Sequence, residues 1–89
     1  MIPKSGGVRL SPADRTVIRR VVLRQPTCRH ELRLDFVIGI PLPRTVEVCE
    51  FPEAVLAEVP EARRYRFLVR GEEVVVVDPG ENRIVDVID

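Results

Sequence analysis

The chain has no tryptophan, one tyrosine, three phenylalanines, one methionine and a single histidine among 89 residues. A core drawn from it is aliphatic, and its many valines carry the branched Cβ that suits a pleated sheet. With His30 the only imidazole, histidine-centred acid–base chemistry has one candidate. Net charge is also missing: 14 basic side chains balance 14 acidic ones. That removes the basic excess on which non-specific nucleic-acid binding depends and disfavours such a partner. No apolar run is long enough to span a bilayer. The opening Met1-Ile2-Pro3-Lys4-Ser5-Gly6-Gly7 lacks the apolar centre of a signal peptide. Either the protein is cytoplasmic, or a processed export signal is missing from this sequence. Gly6-Gly7 and Gly71 stand in the wrong contexts for a phosphate-cradling loop, and there is no internal repeat or low-complexity tract.

What remains is enough for one small domain whose core must be dense or helped by a partner. Thirteen of the 14 basic residues are arginine. GC-rich codon usage produces that bias; so does an anion site built from guanidinium forks. Two cysteines, Cys28 and Cys49, permit one disulfide and demand none. If closed, it would span about twenty residues and contribute roughly 3 kcal/mol. The alternative is a pair of unrelated buried thiols acting as small hydrophobes.

Residues 1–10 show no periodicity and read as a flexible leader ahead of a single α+β domain over 11–89. Ser11-Pro12-Ala13-Asp14 is a helix start. The serine hydroxyl can cap, proline suits the first helical position, and Asp14 can reach back to the cap. Val17, Ile18, Val21 and Val22 then form one apolar stripe, with Arg15, Arg19, Arg20 and Arg24 mostly off it. Pro26 should end the helix. Alternation in Glu31–Ile40 and again in Thr45–Glu50 reads as two strands separated by Pro41-Leu42-Pro43. The second places Val46 and Val48 opposite Cys49. Phe51–Pro60 reads as a helix of two turns at most.

The last 25 residues read as a three-stranded antiparallel meander. Gly71 supplies the positive φ of a two-residue II′ turn. This sets Arg70 opposite Glu73, Val69 opposite Val74, Leu68 opposite Val75 and Phe67 opposite Val76. Asp78 to Asn82 is the next turn, with Asp78 bonding the backbone two residues on and Gly80 or Asn82 left-handed. Ile84–Ile88 closes the sheet. The run Val74–Val77 is apolar on both sides and needs both sides covered: by the helices, by the earlier strands, or by a second copy of the chain. Glu31, Arg33, Arg66 and Arg70 are placed as charged guards against edge pairing.

Gly39, Pro43, Val46, Pro52, Pro60, Tyr65-Arg66-Phe67, Val75-Val76-Val77-Asp78-Pro79 and Ile84-Val85 carry a family likeness. Over about residues 10–89 the chain resembles a small bacterial family catalogued as domain of unknown function 1236, known chiefly from Rhizobiales-type exported proteins. Cys49 stands where that family usually has an aromatic residue. The resemblance implies a periplasmic or envelope setting and brings no catalytic residue. The closing hairpin is more loosely similar to that of RcnB-type periplasmic proteins tied to nickel and cobalt homeostasis.

Three functions follow as expectations. The first is a non-enzymatic cell-envelope domain that works by binding or by assembling with itself, without a cofactor. The second is a periplasmic metal-homeostasis accessory. Its metal ligands would be Cys28, His30 and Glu31, since Cys28 and His30 point the same way in an extended chain. Structural zinc usually takes four Cys or His ligands, and only three such residues exist, Cys49 having no register that brings it to the other two. The third is a cytoplasmic protein-interaction module. A Cys28–His30 nucleophile pair lacks a supporting acid. Arg63, Arg64, Arg66 and Arg70 interleaved with Tyr65 and Phe67 imitate a nucleic-acid strand face, but the aromatics share a face with Val69 and read as core.

Overall fold

The computed structural model describes residues 10–25, 27–31 and 37–89. Helix α1 spans Pro12–Val22. The Ser11 hydroxyl accepts from the Asp14 amide at 3.1 Å, and the Asp14 carboxylate accepts from the Ser11 amide at 3.2 Å. The helix stops before Pro26 can act on it. Arg24 and Gln25 donate to Val21 and Val22, three residues back, so the last turn tightens and runs out. Strand β1 is Cys49–Glu50, helix α2 is Glu53–Glu58, and a 3₁₀ turn over Pro60–Arg64 follows it. Strands β2 (Arg66–Arg70), β3 (Glu73–Asp78) and β4 (Arg83–Ile88) complete an antiparallel sheet in the order β1-β2-β3-β4.

The meander has the expected register. Arg70, Val69, Leu68 and Phe67 face Glu73, Val74, Val75 and Val76. Gly71 sits at φ +60°, where a side chain would be strained, and Arg70 and Glu73 pair at 2.9 Å across the turn. In the second turn the Asp78 carboxylate accepts from the Gly80 amide at 2.8 Å, and Asn82 takes the left-handed position at φ 53°.

Alternation divides the hydrophobic residues into two clusters. On one side of the sheet Phe67, Val69, Val74, Val76 and Ile88 pack with Ile18 and Val22 of α1 and Val55 of α2. The Phe51 and Phe67 rings stack there with centroids 5.0 Å apart. On the other side Leu68, Val75, Val77 and Ile84 pack under Leu42, with Val46, Val48 and Val87 against them. All four consecutive valines are 0 % exposed. One chain therefore shields both faces of β3, with helices on one side and the irregular segment around Leu42–Val48 on the other.

Several expectations change. Most of the strand read over Glu31–Ile40 lies outside the described residues. Its described end is not strand: Ile38 and Gly39 form a turn, with Gly39 at φ 95°. The second strand shrinks from Thr45–Glu50 to Cys49–Glu50. Val46 and Val48 nevertheless reach one cluster and Cys49 the other, as the alternation implied. Pro41 and Pro43 at the start of residues 41–46 favour turns over a ladder. Of the two alternatives left open for Cys28 and Cys49, the structure takes the disulfide, with Cα atoms 6.2 Å apart, although no strand register pointed to their meeting. Periodicity could not show this, because the link runs between β1 and a non-strand segment. Cys28, at φ 59°, accepts through its carbonyl from the Val69 amide at 2.8 Å, and the His30 amide donates to the Val69 carbonyl at 2.9 Å.

One polar pair crosses the helical layer. The pairing of β3 with β4 shifts at Val76/Val77: Val76 faces Asp86 while Val77 faces Ile84. The extra residue, Val85, is a bulge that turns both Val85 and Asp86 toward the helices. Asp86, nearly buried, forms a salt bridge with Arg15 of α1. Its second carboxylate oxygen accepts from the Val87 amide at 2.8 Å, and the Arg15 guanidinium donates to the Val87 carbonyl at 3.2 Å.

Two measurements check this account. Asp86→Ala strands the Arg15 guanidinium over an apolar layer and should lower unfolding free energy by about 2–3 kcal/mol in urea titration. Reducing the disulfide with a phosphine should lower it by roughly 3 kcal/mol; an unchanged midpoint would mean the link constrains little.

Candidate functional site

The residues read as metal ligands fall in one short segment held against the Val69 end of β2. The sulfur of Cys28 is bonded to Cys49, so in this oxidised state it offers no thiolate. His30 is half-buried, and its Nε2–H donates to the Glu47 carbonyl at 2.9 Å. Glu31 is exposed at the end of the segment. Among the described residues no three His, Cys, Asp or Glu side chains are grouped to hold a metal ion. The fold thus brings Cys28, Cys49 and His30 around the Glu47 carbonyl, while the disulfide occupies both sulfurs. The same arrangement bears on the nucleophile reading: Cys28 is bonded, and His30 directs Nε2–H at the main chain.

The arginine–aromatic stretch at 63–70 resolves into separate roles. Phe67 is core and Tyr65 packs partly buried beside it. The Arg66 guanidinium donates to the Tyr65 carbonyl at 2.9 Å, and Arg70 pairs with Glu73. A cleft of about 250 Å³ between Phe51, Leu56, Arg63 and Tyr65 lies beside the 3₁₀ turn.

Position in sequence alone did not reveal the third feature. Helix α1 lies beside the end of β4, and a cleft of about 480 Å³ opens between Thr16, Arg19, Arg20, Leu23, Arg24 and Asp89. A second cleft of about 250 Å³ shares Thr16, Arg19 and Asp89 and adds Arg15. All four arginines of the α1 segment thus line one or the other of these two adjoining shallow clefts. Arg15 is engaged with Asp86, and Arg19 reaches Glu72 only at 3.4 Å. The Arg19 Nε–H is shielded from solvent and has no acceptor. Arg20 and Arg24 are exposed, and neither has an ion pair among the described residues. The 15, 19, 20, 24 spacing was visible in the sequence. The concavity was not, because Asp89 reaches the helix only through the register of β4.

Among the described residues, the large hydrophobic side chains left exposed are in the turn with Val37, Ile38 and Ile40, each about half exposed. No helix among the described residues is long and apolar enough to cross a membrane.

No curated protein and no solved structure matches the chain, and no match carries the likeness of the closing hairpin to RcnB-type proteins. A family model matches residues 21–89, beginning near the end of α1 and running through the whole sheet. The chain belongs to the Domain of unknown function (DUF1236) family.

Proposed function

We propose that this protein is a small non-enzymatic domain of the cell envelope that acts by binding. The observation that carries this reading is the Cys28–Cys49 disulfide. Structural disulfides persist in oxidising compartments and are rare where thiols are kept reduced. This one ties the 28–30 segment to the sheet at a point where the main chain also bonds β2, so it serves as a structural fastener. Oxidation also withdraws Cys28 from any role as nucleophile or metal ligand. The polar side chains that remain exposed lie on rims and helices, where they suit contact with other molecules.

Self-assembly is the second reading, and the turn at Val37, Ile38 and Ile40 favours it, since these are the large hydrophobic residues left exposed among the described residues. Burying a side chain of this type contributes about 1.5–3 kcal/mol. The sheet faces do not call for a second copy, because Val75 and Val77 are already fully covered within one chain.

Alkylating thiols in intact cells before lysis tests the compartment. Both cysteines should resist labelling until a reductant is added; a fully reduced pair in cells would defeat the envelope reading. Light scattering across concentration tests self-assembly. Any dimer should weaken on Ile38→Asp, and a strict monomer at high concentration removes that reading. The oxidised protein should bind nickel, cobalt or zinc no more tightly than its His30→Ala variant; titration calorimetry showing a tight, His30-dependent site would restore the metal-homeostasis alternative.

A further inference from the structure

We infer that the concave face of α1 is a binding site for a multiply charged oxyanion of the phosphate class, with Arg20 and Arg24 as the primary contacts and Arg19 as the third. The inference deepens the binding reading by naming a ligand class, and it rests on α1 rather than on the disulfide.

Like charges cluster here with little local compensation: the cleft is lined by three arginines and one carboxylate, Asp89. Arg20 and Arg24 are four residues apart, on the last turn of α1 and its tight continuation, and both line the same cleft. A like-charged pair at that spacing is mildly destabilising. The helix dipole offsets part of this for cations in the last turn, but it does not require a concave surface. With 14 acidic residues available, complementary carboxylates could have been interleaved. Instead Asp89 is the one carboxylate among the described residues lining the cleft, and Glu53, Glu58 and Glu61 lie on α2 and the 3₁₀ turn.

The donors suit the ligand. A guanidinium presents a planar fork that matches phosphate oxygens two at a time. Arg19 is held on one side only by its long contact with the exposed Glu72, and its Nε–H has no acceptor. Released from Glu72, its fork can turn to an anion seated between Arg20 and Arg24. Leu23 supplies an apolar wall, which lowers the local dielectric and strengthens the charge–charge attraction. The Thr16 hydroxyl donates to the Pro12 carbonyl at 3.0 Å, so the arginines supply the donors. Thr16, Arg19 and Arg20 precede the span matched by the family model, which begins at residue 21.

The same chemistry can come from a soluble anion or from a lipid headgroup, and two probes separate them. Pyrophosphate titrated into the oxidised full chain at constant ionic strength should give saturable NMR shifts centred on Thr16–Arg24. Arg20→Gln/Arg24→Gln should weaken it by about tenfold or more, since each lost charge-assisted bond is a substantial share of such binding. Asp89→Asn should strengthen it. Binding only to phosphatidylglycerol vesicles, with the same dependence on Arg20 and Arg24, would support the site with a headgroup as the source. Both side chains are exposed, so circular dichroism should be unchanged in the variants; Arg24→Gln alone, beyond the helix, gives a second reading. The inference is overturned if neither probe binds, if the double variant binds as well as the parent, or if shifts spread evenly over all arginines. Reduced cysteines in cells would defeat the envelope reading and leave this result intact.

Discussion

Burial of β3 on both sides is the constraint from which the rest of the architecture follows. Four consecutive valines send alternate side chains into opposite clusters, and all are sealed from water. A strand of this kind is stable only when something apolar lies on each face. Two short helices supply one cover. The other, among the described residues, is the irregular Leu42–Val48 segment, whose hydrophobic residues are spaced to reach the sheet without pairing to it. A domain of this size has little core to spare, so both covers come from the residues that precede the meander, the helices on one face and the Leu42–Val48 segment on the other.

The edges of the sheet are managed with equal economy. The free side of β2 is taken by β1 at Phe67 and by the Cys28–His30 segment at Val69. The disulfide ties these two stubs together. The outer side of β4 is met by Gly39–Leu42, whose backbone bonds Ile84 and Asn82. Further along, Arg15 and Asp86 between them satisfy both the amide and the carbonyl of Val87. Exposed strand edges invite pairing with other chains. Here side chains and irregular backbone occupy them, and α1 is fastened to β4 by the same pair. That fastening lays the arginines of α1 along the end of β4 and creates the cleft.

The surface is left with the side chains that the core does not use. Cys28 and His30, the residues with the richest chemistry, are drawn into structural bonds with Cys49 and the Glu47 carbonyl. Of the arginines on and just beyond α1, Arg15 and Arg19 have carboxylate partners, while Arg20 and Arg24 have no ion pair among the described residues. A protein with zero formal net charge can still present a concentrated positive surface, because the sum says nothing about distribution.

How much of this was legible depends on the range of the forces involved. The helix start at Ser11, the hairpin register around Gly71, the Asp78 turn and the division of valines between two faces were all readable. Each is decided by residues a few positions apart: a cap reaching three residues on, a turn that pins its own register, a side-chain period of two. The strand expected over Thr45–Glu50 is only Cys49–Glu50, because alternation is the same in a true strand and in an extended segment lying over a sheet. Only the hydrogen-bond partners distinguish them. The Cys28–Cys49 link, the Arg15–Asp86 pair and the arginine cleft join residues separated by 21, 71 and about 70 positions. Such contacts depend on one bulge at Val85 and on which edge each segment happens to cover. Local pattern therefore determined the meander and its two dry faces, whereas the placement of distant side chains beside one another, and with it every candidate site, was decided only when the whole chain had packed.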